Sequence, residues 1–207
     1  MADAAPGTGS GAKGATEVVE PTAAQQAQAR RVAESKATVP HTYLEVEAGV
    51  SASTGAIVRA GALALKEFPL LNGAYRDARF ELYSRINVGV AVAAGGSVAY
   101  PTVHDADEKD VAAIDAEIEA LAERVAGGSI TSPELAGATF SIADLSPIGI
   151  ARASGAVIRG QAAHLTVGAP GPELRSLSLA CDARILQGAE AAGFLARVKA
   201  LLEDSPG

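Results

Sequence analysis

Leu177-Ser178-Leu179-Ala180-Cys181-Asp182-Ala183-Arg184-Ile185-Leu186-Gln187-Gly188 is the stretch that decides the fold. Leu177 to Cys181 reads as a short strand, and Gly188 opens a final helix in which Ala192, Leu195, Val198 and Leu202 fall on one stripe. Working towards the N-terminus, His164 to Val167, Ala156 to Ile158 and Thr139 to Ala143 read as further short strands. A long amphipathic helix precedes them, starting at Asp105 or Asp107, running through Val111, Ile114, Ile118, Leu121 and Val125, and ending at Gly127-Gly128. Before it lies a strand cluster. Arg79 to Tyr83 alternates, Ile86 to Ala93 is almost continuously apolar, and Gly95-Gly96 offers a tight turn into Val98 to Val103.

The N-terminal third completes the pattern. Thr22 to Lys36 reads as a helix ended by Pro40, and Thr42 to Val50 alternates as a half-buried strand does. Ser53 or Thr54 caps a second helix from about Gly55 to Glu67, which Pro69 stops. Residues 1–21, rich in Ala, Gly, Thr, Ser and Pro, read as a flexible tail, leaving 22–207 as one domain. Strands and helices mix without strict alternation. The expected architecture is therefore α/β of the α+β kind, a two-layer mixed β-sheet with helices packed on one side.

Composition narrows the function classes. A net charge of -7 argues against unaided binding to nucleic acid or an anionic membrane, and no apolar run approaches the roughly 20 residues of a membrane span. Cys181 stands alone, which excludes an internal disulfide framework and a Cys-based metal cluster. The N-terminus lacks the basic start and apolar block of a secretory signal, so a cytoplasmic protein is expected. No metal-ligand spacing and no Gly-rich phosphate loop is present in the sequence.

Seven segments, in order over residues 22–204, resemble the catalytic domain of the dihydrolipoamide acyltransferases of 2-oxoacid dehydrogenase complexes, a fold shared with chloramphenicol acetyltransferase. They are Ala33-Glu34-Ser35-Lys36; Val39-Pro40-His41; Ala62 to Pro69 with Asn72, similar to a helix ending "FPxxN"; and Asn87 to Val92, similar to "NIGVAV". Then come Pro101 to Asp107, similar to "PVIRDAD"; Gly137 to Ile142, similar to "GGTFTIS"; and the opening stretch, similar to "LSCDHRVVDG". Two places are shorter than in the family: Val50 to Ser53 leaves little room for an extra helix, and Gly168 to Arg175 is a compact turn where a longer hairpin is usual.

The resemblance implies a trimer with its active site between subunits, and transfer of an acyl group between a lipoyl thiol and coenzyme A. It implies a histidine of "DHRxxDG" as general base, suited by an unperturbed pKa near 6.5. It also implies a hydroxyl on the "TIS" strand as oxyanion donor, worth roughly 3 to 4 kcal/mol, and an Asp or Asn four residues after the histidine. Here the histidine position is Ala183, the oxyanion position Ala143, with Ser141 two residues earlier, and the third position Gln187. Asp182 and Arg184, a structural pair in the family, remain.

The substitute bases are few. His41 follows Pro40 as in the family and is expected to be structural; His104 beside Asp105 suits a surface or interface salt bridge; His164 suits a core or intersubunit hydrogen bond; Cys181 suits core packing. The expected function is a catalytically impaired family member serving as a trimeric scaffold or binding protein, with 2-oxoacid dehydrogenase components as candidate partners. The alternative is a stand-alone acyltransferase moving an acyl group from acyl-CoA to a thiol or other acceptor with a non-standard base. No covalent cofactor is expected, coenzyme A or acyl-CoA being the small molecule the family would supply. No lipoyl domain is expected ahead of the catalytic-like domain, the tail being too short to hold one.

Overall fold

The computed structural model describes residues 14–49, 52–169, 171, 174–186 and 188–204. Helix α1 (Ala23–Thr38) starts in a capping box, in which the Thr22 hydroxyl accepts from the Gln25 backbone and the Gln25 side chain accepts from the Thr22 N–H. Strand β1 (His41–Ala48) follows, then α2 (Thr54–Glu67), capped by the Ser53 hydroxyl. Next come the hairpin of β2 (Gly73–Arg76) and β3 (Arg79–Leu82), then β4 (Val88–Val90), β5 (Val92–Ala94), β6 (Ser97–Ala99) and β7 (Thr102–Val103). Helix α3 (Val111–Ala126), β8 (Phe140–Asp144), β9 (Ala163–Val167), β10 (Arg175–Asp182) and α4 (Gly188–Glu203) complete the chain.

The main sheet has the order β1-β10-β9-β8-β4-β7 and is mixed, parallel only across β4–β8–β9. Its strands alternate cleanly. One face carries Phe140, Ile142, Leu165, Val167, Leu177, Leu179 and Cys181, all fully buried in the main core with α2 and α4. The other face carries Ser141, Ala143, His164, Thr166, Ser176, Ser178 and Ala180.

That second face is covered by coil, not by a helical layer. Residues 151–158, of which Ala156 to Ile158 is expected as a strand, pair with no strand and lie across β9 and β10. The Ser176 hydroxyl donates to the Ala151 carbonyl at 2.7 Å, and Ser154 and Ser178 share a hydrogen bond at 3.1 Å. The coil lies so close that a Cβ on Gly155 would sit 2.2 Å from the His164 ring and one on Gly168 only 1.9 Å from the Ala151 carbonyl oxygen. Helix α1 belongs to this side as well. It buries only Ser35, whose hydroxyl donates to the Val157 carbonyl at 2.5 Å.

Other boundaries differ from the sequence reading for local reasons. The apolar run Ile86 to Ala93 divides into β4 and β5, and Val98 to Val103 divides at Tyr100-Pro101, so each run serves both the main sheet and the separate β5–β6 hairpin. Helix α3 begins at Val111 under an Asp110 cap, because Asp105 has left-handed φ (49°) and its N–H donates to the Asn87 side chain. Val50 and residues 1–13 of the expected tail lie outside the described residues. No helix among the described residues is long and apolar enough to cross a membrane.

Candidate functional site

Strand β10 carries Asp182 at its C-terminal end, opposite His41 at the start of β1. There Asp182 builds a tight turn: its carbonyl accepts from the N–H groups of Ile185 and Leu186, and its carboxylate accepts from the Arg184 N–H at 3.0 Å. The Arg184 guanidinium binds the same carboxylate through Nε (2.9 Å) and Nη2 (2.6 Å) and stacks over the Tyr75 ring at 4.6 Å. This pairing pushes the Arg184 pKa further up. Asp182 and Arg184 thus hold the turn's shape. Ala183 sits exposed at its tip, fixed by donation from its N–H to the Pro40 carbonyl at 2.9 Å. Gln187 lies outside the described residues.

Ala143 lies on β8 in register with Thr166, on the coil-covered face, with Ser141 one step earlier on the same side. Thr166 in turn faces Ser178 of β10. Reaching Ala183 from there takes two strand spacings of about 4.8 Å and five residues of about 3.3 Å, so the two alanines of one chain stand on the order of 20 Å apart. One chain therefore does not bring Ala143 and Ala183 together.

The imidazole held beside the 182–184 turn is His41, and both its nitrogens are engaged by backbone. Nδ1–H donates to the Val39 carbonyl at 2.8 Å, while Nε2 accepts from the Val157 N–H at 3.0 Å. Burial holds its pKa below the usual imidazole value. His41 pins the coil to the strand edge, as a structural residue does. His104 forms no ion pair with Asp105; the Arg85 guanidinium takes that carboxylate, at 2.7 Å through Nε. Cys181 packs in the core, with its thiol pushed up to about 12 by burial and by the Asp182 charge.

His164 lies buried in the interior of the chain. It is 1% exposed, edge-on to Tyr100 at 6.0 Å, and its Nδ1 has no hydrogen-bond partner among the described residues. Burial lowers its pKa to about 4, so the ring is neutral at pH 7. An unfolded histidine near 6.5 binds a proton that the folded one refuses between those values. Stability is therefore full above pH 6.5 and falls as the pH drops towards 4, by about 3 kcal/mol for this group. Urea unfolding of His164→Leu should show a shallower loss between pH 6.5 and 4 than the unmodified chain.

Beside this residue lies a cavity of about 560 Å³, within the range of small-molecule sites. Helix α1, the β5–β6 hairpin, the end of α3, the segment leading into β8 and residues 156–161 line it, and it is partly open to solvent. Its walls include Val98, Val157 and Ile158; Ser141, Tyr100 and Gln161 supply polar atoms, and Arg31 stands at the α1 rim. Tyr100 and Gln161 were invisible as site residues in the sequence, because each comes from a connection with no motif of its own.

The family model of the 2-oxoacid dehydrogenases acyltransferase catalytic domain matches residues 50–206. The chain belongs to this family. It is 31% identical over 212 residues to the dihydrolipoyllysine-residue acetyltransferase component 3 of the mitochondrial pyruvate dehydrogenase complex of Arabidopsis thaliana, covering 85% of this chain and 39% of that protein. The chain spans about two-fifths of the length of the Arabidopsis thaliana relatives it matches and about half that of the Rickettsia ones. Among solved structures it resembles a probable dihydrolipoamide acetyltransferase from Listeria monocytogenes 4b F2365, with a TM-score of 0.86 at 27% identity over 91% of this chain and 94% of that one. It also resembles the cubic core of a pyruvate dehydrogenase multienzyme complex, with a TM-score of 0.84 at 25% identity over 93% and 94%. Chloramphenicol acetyltransferase shares the fold, with a TM-score of 0.54 at 12% identity over 84% and 94%.

Proposed function

We propose that this acyltransferase-family chain is catalytically impaired and acts as a trimeric scaffold or binding protein, with components of a 2-oxoacid dehydrogenase complex as its partners. The observation that carries the reading is at the 182–184 turn. The Asp182–Arg184 pair keeps the turn in shape, yet its tip is Ala183, and the neighbouring His41 spends both nitrogens on backbone groups. Without a base, a thiol acceptor reacts only through its own thiolate fraction. Loss of general-base assistance alone removes about 100- to 10,000-fold. Ala143 supplies no hydroxyl for an oxyanion, a loss of roughly another 100- to 1,000-fold that need not add fully.

Assembly follows from the same geometry. Ala143 and Ala183 face one another only if different copies contribute them, as the family's intersubunit site requires. Exposed Phe80, Leu82, Ile148 and Ile150 offer apolar surface for such contacts. Coenzyme A is proposed as a ligand bound by such an assembly, without turnover. Sedimentation should give a particle of about three times the 20.7 kDa of one chain, or a multiple of that trimer. A stable monomer would remove the scaffold reading.

A further inference from the structure

Two residues lining the cavity beside β8 carry buried polar atoms that the reading above leaves without a task. Ser141 Oγ belongs to a residue with no exposure, and Gln161 Oε1 to one 5% exposed; neither atom has a hydrogen-bond partner among the described residues. Both residues line the cavity. The Gln161 amide nitrogen already donates to the Ala138 carbonyl at 3.2 Å, which fixes the side chain with its oxygen unspent. Behind Ser141, in register on β9, stands the neutral ring of His164.

Leaving such groups unpaired beside apolar walls carries an uncompensated desolvation penalty. A ligand that satisfies them gains correspondingly, and their chemistry dictates its inner end. An amide oxygen only accepts, and a serine hydroxyl both donates and accepts. The matching group is a neutral hydrogen-bond donor such as a hydroxyl. A carboxylate would set oxygen against oxygen and bury a charge away from any cation. At the rim the situation reverses. Arg159 is paired with Glu34, whereas Arg31 is exposed and has no ion-pair partner among the described residues. An anionic head fits there, in water.

We propose that the cavity under α1 binds a medium-chain amphiphile, its hydroxylated end held by Ser141 and Gln161, its chain along the apolar walls and its anionic head at Arg31. The site needs neither acyl transfer nor a second copy, so it goes beyond the scaffold reading, and its failure would leave that reading untouched.

The test compares 8-hydroxyoctanoate with octanoate by titration calorimetry on the full chain at pH 7.5. A merely greasy pocket favours octanoate, since the added hydroxyl must leave water. The proposed site favours 8-hydroxyoctanoate by about two- to tenfold, the worth of a net hydrogen bond. Ser141→Ala should reduce that preference towards equal affinity for the two ligands, and Arg31→Gln should weaken both ligands. Equal or tighter binding of octanoate to the unmodified chain, or no binding of either ligand, would overturn the proposal.

Discussion

Ala183→His should raise acyl transfer from acetyl-CoA to dihydrolipoamide by about 100- to 10,000-fold over the unmodified chain, the range a positioned general base contributes. The position is ready to receive the side chain. Ala183 is exposed, its N–H is fixed to the Pro40 carbonyl, and Asp182 shapes the turn through groups the substitution leaves alone. Stability should therefore change by no more than about 0.5 kcal/mol, as for most surface substitutions. Adding Ala143→Ser should raise the rate further, by up to about 100- to 1,000-fold, with less than full additivity because both groups serve one transition state. Ala143 is 8% exposed on a face already occupied by Ser141, Thr166 and Ser178, so a hydroxyl there meets a polar neighbourhood. Coenzyme A release, followed with a thiol reagent after correction for the acceptor, reads both variants.

The largest loss of stability should come from the buried ion pair between Arg175 and Asp144, whose side chains are 3% and 7% exposed. Arg175 Nη2 meets Asp144 Oδ1 at 2.9 Å, Nη1 donates to the Ala52 carbonyl at 3.0 Å and Nε to the Gly168 carbonyl at 3.0 Å. Asp144 also accepts from the Thr54 hydroxyl at 2.9 Å and the Ser146 N–H at 3.0 Å. One cluster thus ties the start of α2, the end of β8 and the β9–β10 connection. Asp144→Ala leaves the guanidinium buried without its anion and should cost about 3 to 5 kcal/mol. For a chain of this size that lowers Tm by on the order of 10 °C in a thermal scan. Asp144→Asn keeps hydrogen-bond acceptance and should cost less. Equal losses for the two variants would mean that the charge contributes nothing.

Leu177 to Gly188 carried more of this structure than any other stretch of sequence. Strand β10, the Asp182–Arg184 turn and α4 fall where its residues put them, because apolar alternation, an Asp able to cap its own turn and a helical stripe are all local signals. The β2–β3 hairpin was only half legible. Its turn residues, Asp77 and Ala78, adopt left-handed φ (49° and 60°) without a glycine to announce it. The coil over residues 151–158 misled for the opposite reason: Ala156 to Ile158 has strand composition, but its partners are the side chains of Ser35 and His41 rather than a neighbouring strand. The alanines at 143 and 183 could be read from motif register. Their separation within one chain, and the cavity that gathers Arg31, Tyr100, Ser141 and Gln161, exist only once distant segments pack together.

The central claim is that the family's fold persists here without its base. The most direct test is coenzyme A release from acetyl-CoA by the unmodified chain, at the assembly state found in solution, with dihydrolipoamide as acceptor. The account predicts no rate above that of the free thiol reacting alone. Sustained turnover well above it would contradict the account and would mean that some other group does the work the residue at 183 cannot.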